Sequence, residues 1–137
     1  MEPHVARDEM MDRLRSGGVR DPRVLAAMEA VPREEFVTDS ERGDAYADRA
    51  LPIDAGQTIS QPLMVAVIVE ALELHDGDVA LDVGTGSGYQ AAVMAACGAH
   101  VVSVERIPDL GLDAMTRLGR LGFDVDVRIG DGSLGAP

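Results

Sequence analysis

The sequence of 137 residues holds one cysteine, no lysine and no long apolar run, and each scarcity removes a class of function. Cys97 alone cannot close an internal disulfide, and its place after an apolar stretch makes it a packing residue. No segment reaches the roughly 18 uninterrupted apolar residues of a membrane-spanning helix. The opening stretch, MEPHVARDEMMDRLRSGG, mixes charges and lacks the apolar centre of a secretory signal, so a cytoplasmic protein is expected. The twelve basic residues are all arginines and are scattered, while a net charge of −12 repels phosphate; no nucleic-acid partner is expected. His4, His75 and His100 lie far apart without a spaced Cys or His neighbour, so no metal site is expected either. Hydrophobic residues make up 46% of the chain, enough for a core, and the length fits one domain.

The chain is organised around VALDVGTGSGY at 79–89. Its apolar run at 79–83 is too short for a helix and reads as a strand buried on both faces of a parallel sheet. Asp82 falls near the carboxyl end of that strand, where open α/β sheets bind ligands. Gly84, Gly86 and Gly88 omit alternate side chains, so the backbone can turn sharply and lie against a ligand. A helix at 87–97 follows and turns its free N–H groups into the same crevice. A second strand at 101–104 ends in Glu105, 21 positions beyond Gly84 and near the roughly 20-residue spacing that sets a carboxylate on a ribose. A helix at 108–121 then leads to a third strand at 125–129, which ends at Gly130, Asp131 and Gly132. The fold class is α/β, a Rossmann-like parallel sheet with carboxylates at three successive strand ends.

Upstream, a helix at 6–15 stops at Gly17 and Gly18, and a second starts at Asp21 and Pro22 and ends before Pro32. These form a small N-terminal cap. Residues 33–53 show no period and read as a loop crossing the surface, so the chain divides into cap and crossing loop (1–55) and a ligand-binding portion (56–137). GQTISQP at 56–62 crowds polar side chains before a helix at 61–74 whose apolar residues nearly encircle it, predicting a mostly buried helix. Ser60 is placed to cap that helix. Tyr89 and Gln90 read as packing on the face of the helix that follows the glycines.

The ligand follows by elimination. Tyr89 occupies the sixth position of GxGxxG, where a dinucleotide site needs Gly or Ala. No lysine follows the turn, which excludes a nucleotide-triphosphate loop. Three carboxylates repel a pyrophosphate and suit an ammonium, a sulfonium, ribose hydroxyls and an adenine amine. S-adenosylmethionine offers all four.

The blocks VPREEFV, RALPI, GQTISQP, LDVGTGSGYQAAV, VVSVER and GDGSLG, in that order, resemble the protein-L-isoaspartate O-methyltransferase family over nearly the whole chain. The resemblance implies a Rossmann-like S-adenosylmethionine-dependent methyltransferase acting on L-isoaspartyl carboxylates of damaged proteins or peptides. It assigns Asp82, Gly84, Gly86 and Gly88, with Thr85 among them, to the methionine part of the cofactor. Glu105 goes to the ribose hydroxyls, and Asp131 with Gly132 to the adenine. Gln57, Thr58 and Ser60 face the substrate, Ser60 as the catalytic residue that orients one carboxylate oxygen. Family members continue past GDGSLG, so the resemblance covers an N-terminal portion, the sheet is incomplete, and the strand at 79–83 is left as an apolar edge open to self-association. Two other readings stand beside this one: a relative that methylates ordinary aspartate in a biosynthetic peptide, and an inactive cofactor-binding or interaction module.

Overall fold

Prolines open four of the helices in the computed structural model, which describes residues 2–135. They lead α1 (Pro3–Ser16), α2 (Pro22–Ala30), α3 (Pro62–Leu72) and α5 (Pro108–Leu121). A fixed φ and a missing N–H both suit the first turn. The Asp21 carboxylate caps α2 as expected, accepting from Arg23 N at 2.9 Å. Glu70 of α3 adds a second clamp by accepting from the backbone N–H groups of Arg20 and Asp21, both at 2.8 Å. Those bonds hold the Glu70 carboxyl below its usual range.

The main sheet is parallel, with β3 (Val79–Val83), β4 (His100–Glu105) and β5 (Val125–Ile129) side by side in that order. Val79 pairs with His100 and Val101 with Val125. The crossovers are α4 (Tyr89–Ala96) and α5. One buried cluster runs from Met10 through Val127, on both sides of position 56. Cys97 belongs to it, as expected of a packing residue, and burial pushes its thiol up to about 11. No helix among the described residues is long and apolar enough to cross a membrane.

Three expectations need correction. Among the described residues β3 pairs with β4 alone, and Val79, Leu81 and Val83 are 78%, 47% and 60% exposed, so the strand is the apolar edge that the resemblance implied and not one buried on both faces. α3 turns Val65, Ala66 and Val69 inward but leaves Met64, Val67, Ile68 and Leu72 exposed, so one face rather than the whole helix is buried. The stretch 33–53 is no surface loop. Two short 3₁₀ turns, Arg33–Phe36 and Asp39–Asp44, deliver Arg33, Phe36, Ala45, Tyr46 and Leu51 to the interior. Its burial is irregular because the first turn buries Arg33 and Phe36 while the second buries none of its own residues and Ala45 and Tyr46 go inward after it, and the Phe36 ring meets Tyr89 edge-on at 5.5 Å.

A small antiparallel hairpin, β1 (Leu51–Pro52) with β2 (Thr58–Ile59), overhangs the glycine turn. Its tip puts Ala55 at φ 59° and Gly56 at φ 69°, two left-handed residues in succession. Alanine pays there for its β-carbon, whereas asparagine adopts this conformation readily. Ala55→Asn is expected to stabilise the fold by about 1 kcal/mol, read as a higher melting temperature; a lower one would show that the tip is not left-handed.

Candidate functional site

At the end of β3 the chain reverses on glycine. Gly84 N and Thr85 N both donate to Val104 O, at 2.8 and 3.2 Å, while Gly84, Gly86 and Gly88 take φ of 87°, 56° and 94°. Side chains are strained at such angles. A β-carbon at Gly84 would meet nothing within 4 Å, and one at Gly86 would meet Ile53 Cδ1 at 3.7 Å, so the turn leaves open space beside it. Gly88 differs, because a β-carbon there would press on Leu118 at 3.1 Å. It seats α4 against α5 and lies on neither wall of the cleft described below.

Behind the turn runs a buried chain of hydrogen bonds. Ser103 Oγ donates to Asp82 Oδ2 at 2.7 Å, which leaves it to accept from Thr85 Oγ1 at 2.6 Å, and Gln90 Nε2 donates to Asp82 Oδ1 at 3.1 Å. Burial pushes the Asp82 carboxyl up, and the bonds from Ser103 and Gln90 work against that shift. Gln90 is thus a partner of Asp82 rather than a packing residue. Ser103 escaped the sequence reading altogether; its signal was a lone polar residue in an apolar strand, in register with Asp82.

Glu105 is 5% exposed and is held from two sides, its Oε1 accepting from Gly86 N at 2.9 Å and its Oε2 from Ile107 N at 3.0 Å. Each oxygen keeps a lone pair. Asp131 is exposed; its Oδ1 accepts from Ser133 N at 2.9 Å, and this contact holds the carboxyl below its ordinary range. Gly132 is required by proximity, since a β-carbon there would lie 2.5 Å from Val83 Cγ1.

Two adjoining hollows open here. One of about 190 Å³ is lined by Ser60, Asp82, Thr85, Tyr89 and Gln90 among others. The other, about 250 Å³, has Gln57, Glu105, Arg106, Asp131 and Gly132 in its wall. Thr58, Val83, Gly84 and Gly86 belong to both, so the two form one cleft. The structure therefore gathers every residue proposed from the sequence except Gly88. Ser60 does not cap α3. Gln61 holds the N-cap position without a side-chain bond, and the exposed Ser60 hydroxyl makes no hydrogen bond among the described residues.

Residues 5–137 match the family described as protein-L-isoaspartate(D-aspartate) O-methyltransferase. The chain belongs to this family. The protein-L-isoaspartate O-methyltransferases of Methylorubrum extorquens and Magnetococcus marinus are each 53% identical to it over 133 residues, covering 96% of this chain and 58% of the relative. The chain thus spans less than two thirds of these relatives. A solved structure described as a protein-L-isoaspartate O-methyltransferase superposes with a TM-score of 0.86 at 34% identity, over 96% of this chain and 44% of its own. A Plasmodium falciparum homologue, solved in complex with S-adenosyl-L-homocysteine, gives 0.75 at 28% identity over 95% of this chain and 63% of its own. The α/β, Rossmann-like architecture read from the sequence is that of these structures.

Proposed function

We propose that this chain carries the cofactor cleft of an enzyme that transfers a methyl group from S-adenosylmethionine to L-isoaspartyl carboxylates in proteins or peptides. The observation that carries the reading is the union, in one cleft, of a buried Glu105 in no ion pair among the described residues with an uncommitted Ser60 hydroxyl across an open glycine turn.

The residues present fit that cofactor. Glu105 has lone pairs to accept from ribose hydroxyls, Asp131 and Gly132 stand beside it for the adenine, and the space at Gly84 admits the methionine part. Asp82 already accepts from Ser103 and Gln90, so its first task is to hold the turn. The cofactor, when bound, supplies an electrophilic methyl on a sulfonium. The chain need supply no strong base, because a carboxylate of ordinary pKa near 4 is ionised at pH 7. Ser60 donates to one oxygen of that carboxylate and leaves the other to react, while Gln57 and Thr58 border its approach. Placement and exclusion of water do the rest. The backbone amide nitrogen then attacks the ester carbonyl and methanol leaves, closing a succinimide, which makes the activity one of repair. In this reading 56–137 hold the cofactor, 1–55 cap the cleft, the protein works in the cytoplasm, and the open edge of β3 draws copies together.

The test is incubation of the chain, extended by the C-terminal segment its relatives carry, with labelled cofactor and an isoaspartyl peptide. Base-labile label on that peptide is expected. Label on an ordinary aspartyl peptide instead would favour a biosynthetic relative, and binding without transfer an inactive module. Ser60→Ala should slow transfer at least about tenfold, the lower end of the roughly 1.5–3 kcal/mol range for a hydrogen bond to a charged group. Because no cap is lost, its melting temperature should not move; a lower melting point with normal turnover would sink the role.

A further inference from the structure

Arg33 heads the fully buried side chains by volume, at 0% exposure. Its Nε donates to Ala45 O at 2.5 Å and its Nη2 to Ser60 O at 2.9 Å, while Nη1 has no partner among the described residues. The guanidinium lies 4.8 Å from the centre of the Tyr89 ring. No carboxylate among the described residues forms an ion pair with it. The adjacent Glu34 turns instead to the Tyr46 hydroxyl and to Arg7. Burial lowers the Arg33 pKa, and the neighbouring tyrosines Tyr89 and Tyr46 oppose that shift. A buried cation without a counterion is destabilising, so its presence asks for a negative charge from outside.

Ser60 and Tyr89, two of the groups that Arg33 touches, line the smaller hollow. Among the described residues no cationic one lines that hollow and Asp82 is the only carboxylate in its wall, so an anionic substrate would be repelled there without a cation behind the wall. We infer that Arg33 is a positioning residue for the substrate carboxylate: it ties down the Ser60 backbone and supplies the positive potential that lets an anion enter beside Asp82. The inference rests on the proposed function. In the transfer the sulfur–methyl bond breaks, a carboxylate oxygen–methyl bond forms, and both formal charges vanish. A fixed cation therefore favours the charged carboxylate over the neutral ester, which strengthens substrate binding and speeds product departure more than it lowers the barrier.

The experiment compares Arg33→Met and Arg33→Lys with the unaltered protein, each extended by the relatives' C-terminal segment. Arg33→Met should raise KM for the isoaspartyl peptide at least tenfold, with a smaller change in kcat and unchanged affinity for S-adenosylhomocysteine. Arg33→Lys should recover most of the lost KM. Unchanged KM in Arg33→Met, or parallel loss of every parameter in both variants, overturns the inference. Should Arg33→Met fail to fold, competition in the unaltered protein decides: the isoaspartyl peptide should bind at least tenfold more tightly than the same peptide with a side-chain carboxamide, and equal binding overturns the role. An unaltered protein that methylates no isoaspartyl peptide removes the functional reading itself, whereas normal methylation with unchanged KM in the variant removes only Arg33.

Discussion

In light scattering the 137-residue chain should run as dimers or larger assemblies, and the same chain lengthened by strands that pair with β3 should run as a monomer. Among the described residues β3 is bonded to β4 along one side only, and its other side presents backbone donors and acceptors beside Val79, Leu81 and Val83. Edges in natural sheets are guarded by lysine, proline or an inward charge, whereas the one charged residue of this strand, Asp82, is itself satisfied inside. The exposed residues of α3 add further apolar surface. A net charge of −12 on each copy opposes association, so assembly should grow as salt shortens the reach of that repulsion. Leu81→Lys, at an exposed position outside the cleft, should restore the monomer. A chain that stays monomeric at every salt concentration would show that three strands close the sheet adequately.

The same open face explains how much could be read without coordinates. The crossover from β3 through β5 was legible because apolar runs of strand length alternate with helical stretches bounded by glycine. Asp82, Glu105 and Asp131 were legible because strand ends in such a sheet point into one crevice. Burial was read less well. The apolar residues of β3 and the outward residues of α3 have the composition of buried positions, but nothing among the described residues covers them. Arg33 and Phe36 were missed for the opposite reason, since single residues inserted by 3₁₀ turns leave no period to detect. The cap assigned to Ser60 failed because Pro62 starts α3 one residue later than that reading required.

Glu105 is the residue at which local structure and ligand binding are hardest to separate, and its replacement should have a large effect on both. Glu105→Ala should weaken S-adenosylhomocysteine binding by about 1.5–3 kcal/mol, the range for hydrogen bonds to a charged group and roughly 10- to 150-fold in Kd. It should also lower stability, because Gly86 N and Ile107 N lose the acceptor that each now has. The two effects separate when the ligand is changed. If the carboxylate accepts from the ribose hydroxyls, an analogue without them binds the unaltered protein weakly and loses little more on Glu105→Ala, since the contact is already gone. If Glu105 acts only by holding Gly86 in its left-handed turn, both ligands lose affinity equally. Calorimetry with the two ligands on the two proteins closes the cycle, and equal losses would show that Glu105 shapes the glycine turn without touching the cofactor.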